Sequence, residues 1–160
     1  MSEAPPAAIR TLQQNDIPAC TTIFIQAYAD VYGEQWSGQA AAARITHVIA
    51  TGPRYCLVAE AEPDLVVGFL LARPFPWYDG TRLWIEELVV DAPLRGKGWG
   101  SRLLTGLDDI AQADDIVSFA LLAKEGSAAE RLYRRLGYAP APWRHLERPA
   151  PRKQVAGAPS

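Results

Sequence analysis

Several common signals are scarce or missing in this 160-residue chain. It has only two cysteines, Cys20 and Cys56, each inside an apolar segment. That is too few for a disulfide framework and reads as two buried free thiols. Its two histidines, His47 and His145, stand far apart, which favours structural roles and predicts no metal centre. No apolar run reaches the ~18–20 residues that a membrane-spanning helix requires. The opening MSEAPPAAIR has neither the cationic start nor the apolar stretch of a secretory signal, so cytoplasmic residence is the default expectation. Net charge is only −2, without the basic excess of a dedicated nucleic-acid binder. Neither nucleic acid nor membrane is expected as a partner, and no internal repeat is visible.

What remains is a globular composition, 49% hydrophobic, with charges of both signs interspersed. The length suits one domain with one sizeable core. The expected layout is a flexible start over 1–7, a single domain over 8–148 and a disordered tail over 149–160. Ala8 to Leu12 reads as a short strand. Asn15 or Asp16 can cap a helix in which Ile17, Cys20, Phe24, Ala27 and Val31 recur at helical spacing. A second helix runs from about Gln39 to Ala50. Strands follow at Tyr55–Glu60 and Leu65–Ala72, joined by a Glu-Pro-Asp turn and antiparallel. Pro74 to Gly80, PFPWYDG, reads as a loop. Arg82–Val90 is a strand, 99–111 a helix, and 116–123 an apolar run expected to be a strand buried on both faces. Ser127 and Glu130 form a capping box ahead of a helix that ends at Gly137. Tyr138–Leu146 is expected as a last strand, weakened by two prolines. The order is β-α-α-β-β-β-α-β-α-β. This is a mixed α/β (α+β) domain in which strand 82–90 and strand 116–123 run parallel.

One stretch stands out: VVDAPLRGKGWGSRLL, from Val89 to Leu104. Glycine is a poor residue with which to begin a helix, costing about 1 kcal/mol at each truly helical position. Yet Gly96, Gly98 and Gly100 sit at this boundary, with Arg95 and Lys97 between and before them. A strand, a bare glycine turn and a helix start together form an anion cradle. The first helical N–H groups lack partners, the helix dipole is positive there, and phosphate is the usual occupant. GKGWGS is not a Walker A loop, which needs Lys and Ser/Thr directly after its last glycine. Nor does it have the spacing of the dinucleotide fingerprint.

The stretch resembles the acyl-coenzyme A signature of the GNAT acetyltransferase superfamily, whose core Arg/Gln-x-x-Gly-x-Gly/Ala is matched by Arg95, Gly98 and Gly100. A second region, A-x-x-L-Y-x-x-L-G-Y from Ala129 to Tyr138, is similar to the same family's later helix. The resemblance covers about residues 8 to 146. It implies a GNAT-like fold with a central, mostly antiparallel mixed sheet flanked by helices. It implies an enzyme that moves an acetyl group from acetyl-coenzyme A to a primary amine by direct attack in a ternary complex, with no metal. The coenzyme's pyrophosphate would lie on Arg95, Gly96, Lys97, Gly98, Trp99, Gly100 and Ser101. Its pantetheine arm would follow Leu88, Val89 and Val90, where the two parallel strands splay apart. Family members commonly carry Asn seven residues before the helix tyrosine. Here that position is Gly126, a departure.

Acetyl transfer to an amine needs a neutral nucleophile, a donor for the carbonyl oxygen as it gains charge, and a proton for the leaving thiolate. The resemblance implies Tyr133 as the acid for the thiolate. A phenol near pKa ~10 and a thiol near ~8.5 are close enough for useful transfer. For the base, WIEELVV offers Glu86 and Glu87. In a regular strand Glu86 shares a face with Trp84, Leu88 and Val90, and Glu87 with Ile85 and Val89. The family places its base at Glu86's position, which favours Glu86, although a bulge would upset the parity. The oxygen would be met by a backbone N–H near Leu88.

The acceptor side is expected between the first two helices and the 73–81 loop, at Tyr28, Tyr32, Trp36, Trp77, Tyr78 and Asp79, together with Glu34. Aromatic and acidic groups suit a small cationic amine, though they would also serve as core or as a homodimer surface. Two other readings remain: a non-catalytic acyl-coenzyme A sensor, and an acetyltransferase acting on protein N-termini or lysines.

Overall fold

A computed structural model describes residues 7–153. The expectations for 1–6 and 154–160, parts of the flexible start and the disordered tail, lie outside the described residues. The strands are β1 (Ala8–Thr11), β2 (Cys56–Glu62), β3 (Leu65–Trp77), β4 (Gly80–Val90) and β5 (Ser118–Leu121). The helices are α1 (Ile17–Tyr32), α2 (Gly38–Thr51), α3 (Trp99–Ala113) and α4 (Ala128–Arg135). The sheet order is β1-β2-β3-β4-β5. Every neighbouring pair is antiparallel except β4 and β5, which are parallel.

Two cores form because the sheet has an apolar residue on each face. Phe24, Ala41, Ile45 and Val48 from α1 and α2 pack on Val58, Phe69, Leu71 and Val89. On the other face Leu103, Leu104, Leu107 and Ala111 of α3, with Tyr133 of α4, pack on Leu57, Leu70, Leu83 and Ile85. Cys20 and Cys56 are buried free thiols in the first core. Asp16 stands at the N-cap of α1 but makes no side-chain cap bond to that helix. Its carboxylate instead accepts from Gln13 N–H at 2.7 Å and from both Arg10 Nη atoms at 2.8 and 2.9 Å, tying β1 to the start of α1.

Four local expectations are corrected. Pro74–Trp77 is not a loop but the end of β3, paired with Gly80–Leu83 so that only Tyr78 and Asp79 turn. Pro74 and Pro76 are two apart, so their missing donors fall on one edge. Beyond Leu71 the strand has no β2 partner, and the hairpin tolerates them. The apolar run 116–123 yields only four strand residues, half-buried because β5 is an edge strand with β4 alone beside it. Tyr138–Leu146 forms no strand. Pro140 and Pro142 cannot donate to a ladder, and Trp143 and Leu146 stand 85% and 86% exposed. The capping box is half-made. Ser127 Oγ accepts from Glu130 N–H at 3.1 Å, but Glu130 reaches back to Gly126 N–H at 2.6 Å.

Candidate active site

The site begins with a bulge in β4. Leu71 pairs with Glu87 but Ala72 pairs with Ile85, leaving Glu86 as the extra residue. Leu83 and Ile85 therefore face the α3 core, while Val89 faces the α1–α2 core. The face changes at Glu86 even though half-buried and buried residues alternate without a break from Arg82 to Val90. Both carboxylates consequently reach the α1–α2 side, and the simple parity expectation fails at this point.

The two acids have different surroundings. Glu86 is held between Arg73 Nε at 2.5 Å and Arg44 Nη2 at 2.8 Å. Although burial opposes it, these two guanidinium groups hold the Glu86 carboxyl below its usual range. Glu87 is 7% exposed and accepts from the Tyr28 hydroxyl, 2.9 and 3.0 Å from its two oxygens. Arg44 Nε and Nη2 stand 3.4 Å from Glu87 Oε1. Burial pushes the Glu87 carboxyl up to about 7, against the pull of Tyr28 and Arg44. A group that titrates there can exchange protons near neutral pH.

Beside Glu87 lies a cleft of about 360 Å³. It is walled by Tyr28 and Tyr32 from α1, by residues 87–90 of β4, by the 94–101 loop and helix start, and by the first turns of α4. One wall is an unfinished ladder. The β4–β5 pairing ends at Ile85–Leu121, whereas β4 stays paired to β3 as far as Val90. The strand edge beyond Ile85 is therefore free on the β5 side.

The glycine loop forms another wall. Gly96 and Gly98 have φ of +76° and +87°, a region where side-chain-bearing residues are strained. Gly100 is helical, but a Cβ there would lie 2.9 Å from the Leu132 side chain of α4. The first helical bond runs from Arg102 N–H to Gly98 C=O. The N–H groups of residues 96–101 have no acceptor among the described residues. Arg95 folds back, its Nε donating to Val90 C=O at 3.1 Å.

Of the residues expected to hold the coenzyme, Leu88, Val89, Val90, Arg95, Gly96, Gly98, Trp99, Gly100 and Ser101 line this cleft, and Lys97 does not. Tyr133 is buried and is not among the residues that line the cleft; its ring lies 5.4 Å from that of Tyr138. Its hydroxyl has no hydrogen-bond partner among the described residues, and burial raises its proton affinity. Gly126 takes a φ of +74°, its N–H and C=O both engaged by side chains of α4. Of the acceptor-side expectations, Tyr28 and Tyr32 reach the cleft. Trp36 backs Tyr28 and Phe24 edge-on and donates to Glu34 at 2.8 Å. Trp77, Tyr78 and Asp79 sit at the hairpin tip, seven or more strand residues from Glu87 and hence roughly 23 Å away along β4. Asp79 there pairs with Arg82 at 2.8 Å. Sequence reasoning missed Arg44. Its signal was available: it is the lone Arg or Lys between Ile17 and Thr51. The start of α4, Ser127 to Ala129, which the sequence marks as a cap and the head of a helix, also lines the cleft.

Among the described residues no helix is long and apolar enough to cross a membrane, and no cluster of three or more His, Cys, Asp or Glu could hold a metal ion. No curated protein matches the sequence significantly. Solved structures of similar fold do. A "possible acetyltransferase" from Clostridium difficile 630 superposes with a TM-score of 0.79 at 18% identity, covering 92% of this chain and 99% of the other. An acetyltransferase from Trypanosoma brucei gives 0.64 at 22%, covering 90% and 99%. A predicted acetyltransferase from Clostridium acetobutylicum, solved with acetyl-CoA, gives 0.69 at 18%, covering 88% and 96%. At these identities the likeness speaks for the fold alone. The family itself is shown by a model of the Acetyltransferase (GNAT) family that matches residues 19–138. With its glycine loop, its short parallel strand pair and the cleft inside that span, the chain belongs to the GNAT acetyltransferase family and is an acetyltransferase.

Proposed function

We propose that this enzyme acetylates a primary amine of a small molecule, with Glu87 as base and Tyr133 as acid. The observation that carries the reading is Glu87. It is a buried carboxylate in the lining of a cleft, poised to titrate near neutral pH.

The cleft fits the family's co-substrate. Bare peptide N–H groups of residues 96–101 suit a diphosphate. The free edge of β4 beyond Ile85 suits an arm that carries amides. Acetyl-coenzyme A, when bound, supplies the thioester. Arg95, Gly96, Gly98, Trp99, Gly100 and Ser101 would hold its phosphates, and Leu88 to Val90 its arm. Glu87 takes the proton that an ammonium must lose before its nitrogen lone pair can attack the acetyl carbon. A backbone N–H near Leu88 meets the charge that develops on the carbonyl oxygen. As the carbon–sulfur bond breaks, the Tyr133 hydroxyl gives its proton to the departing sulfur, and the second proton, which the nitrogen sheds as it becomes an amide, restores the phenol by way of solvent, so that the one proton taken by Glu87 is the net release. Burial keeps Tyr133 protonated, the form a donor requires.

Glu87 is preferred over Glu86 because Glu86 is already saturated by two arginines. Tyr28 and Tyr32 would flank the amine, and the distant Trp77, Tyr78 and Asp79 are not carried forward as contacts. The test is thiol release from acetyl-coenzyme A across a panel of primary amines. Turnover that survives Glu87→Gln undiminished defeats the base assignment. Binding without any release, over a panel that includes peptide N-termini and lysine peptides, would favour the sensor reading.

A further inference from the structure

Arg44 lies outside the cleft lining, yet among the described residues it is the one side chain that hydrogen-bonds both carboxylates of the bulge. Its short bond goes to Glu86, which Arg73 grips from β3. That leaves its Nε and Nη2 edge turned toward Glu87 Oε1. Tyr28 completes the set from α1. A continuous chain thus runs Arg73–Glu86–Arg44–Glu87–Tyr28 across β3, β4, α2 and α1. Two adjacent carboxylates on one strand face would repel each other, and a guanidinium fork placed between them removes that conflict.

We infer that Arg44 is a positioning residue for acetyl transfer: anchored by Glu86, it holds the Glu87 carboxylate toward the cleft and keeps it ionisable in a buried setting. Glu86 is then the anchor of the positioning group and has no contact with the reacting atoms. This rests on Glu87 being the base. A cation and a hydrogen-bond donor at 3.4 Å favour the charged form of a carboxylate, while burial and the neighbouring Glu86 oppose it. The other groups facing Glu87 are Tyr28 and Tyr32 from α1 and Tyr133 from α4, with Arg73 acting through Glu86. Among these, Arg44 is the only cation in direct contact with it.

The experiment titrates the Glu87 side-chain carboxyl by carbon NMR in the full-length protein, the signal being assigned by its loss in Glu87→Gln. Arg44→Gln should move the midpoint upward by about one unit, a tenfold gain in proton affinity. Arg44→Lys keeps a cation but cannot span both acids, and should move it upward by about a third of that. Calorimetry with acetyl-coenzyme A should give the same affinity for wild type and both variants, because Arg44 does not line the cleft. A Glu87 midpoint that stays put in Arg44→Gln overturns the inference. If that variant does not fold by circular dichroism, an unmoved midpoint in Arg44→Lys overturns it equally. Wild-type protein that fails to bind acetyl-coenzyme A strikes instead at the acetyl-transfer reading beneath it.

Discussion

Glu86 and Glu87 are consecutive residues whose carboxylates leave the same side of β4 and meet at one guanidinium, that of Arg44. A regular strand would send them to opposite faces. The bulge opposite Leu71 and Ala72 brings them together, yet their chemical states diverge. One is neutralised by two arginines, and the other is buried with a proton affinity raised to about 7.

That divergence sets the pH profile. A base must be deprotonated to work, so kcat/KM for the best amine of the panel should rise through about pH 7 and then level. Glu87→Gln should lower it on the order of 100-fold at pH 8 and remove this limb. A retained limb in the variant would assign it to another group.

The same carboxylate should weaken the fold. Its folded pKa, about 7, lies above the ordinary value of 4.5. The folded state therefore holds the proton more tightly between those limits, and stability falls as pH rises through that window. Glu87→Gln should then be more stable than wild type at pH 8, on the order of 2 kcal/mol, with the gain vanishing below about pH 4.5. Thermal melts at pH 4 and pH 8 read this directly. An equal Tm difference at both pH values would refute it.

Tyr133→Phe removes one oxygen from a hydroxyl with no protein partner among the described residues, so the fold should hold. We expect kcat to fall on the order of 100-fold with KM for acetyl-coenzyme A unchanged. Full activity would return Tyr133 to a purely packing role.

Gly98→Ala places a Cβ at a φ of +87°, where nothing crowds it but the backbone itself disfavours a side chain. The strain is about 1–2 kcal/mol. Relief by rotation would turn the peptide N–H groups of the loop out of register. Calorimetry should show acetyl-coenzyme A affinity reduced about tenfold, with Tm lower by a few degrees. Unchanged affinity would mean that the cradle lies elsewhere.

Trp77→Ala and Tyr78→Ala, at the hairpin tip, should leave turnover on the amine panel within twofold of wild type. A large loss would show that the tip reaches an acceptor after all.

Much of this was legible beforehand. Helical spacing in 17–31 and 99–111 and the glycine run 96–100 located α1, α3 and the loop, because local sterics and amphipathicity fix such features. The hairpin tip was misjudged because prolines were read as breakers, and only pairing reveals that β3 has a free edge there. The strand expected over 138–146 did not form, since a ladder depends on donors that its prolines lack. The choice between Glu86 and Glu87 was unreadable for a deeper reason. Strand parity is a local rule, and the extra residue that breaks it is defined by a partner strand 15 or so positions away. Arg44 stands out in the sequence only as an isolated cation; its meaning is supplied by acids that tertiary folding brings near.

The ladder that stops at Ile85 and Leu121 leaves main-chain donors and acceptors of β4 facing a gap, and such groups must be satisfied by something. With no strand across the gap, the region should breathe. A ligand bearing amides along that gap would enter as a temporary sixth strand, so amide exchange over residues 86–90 should slow on binding while the β1–β2 pair keeps its own rate. On the proposed reading, the sheet of this protein would be completed by what it consumes.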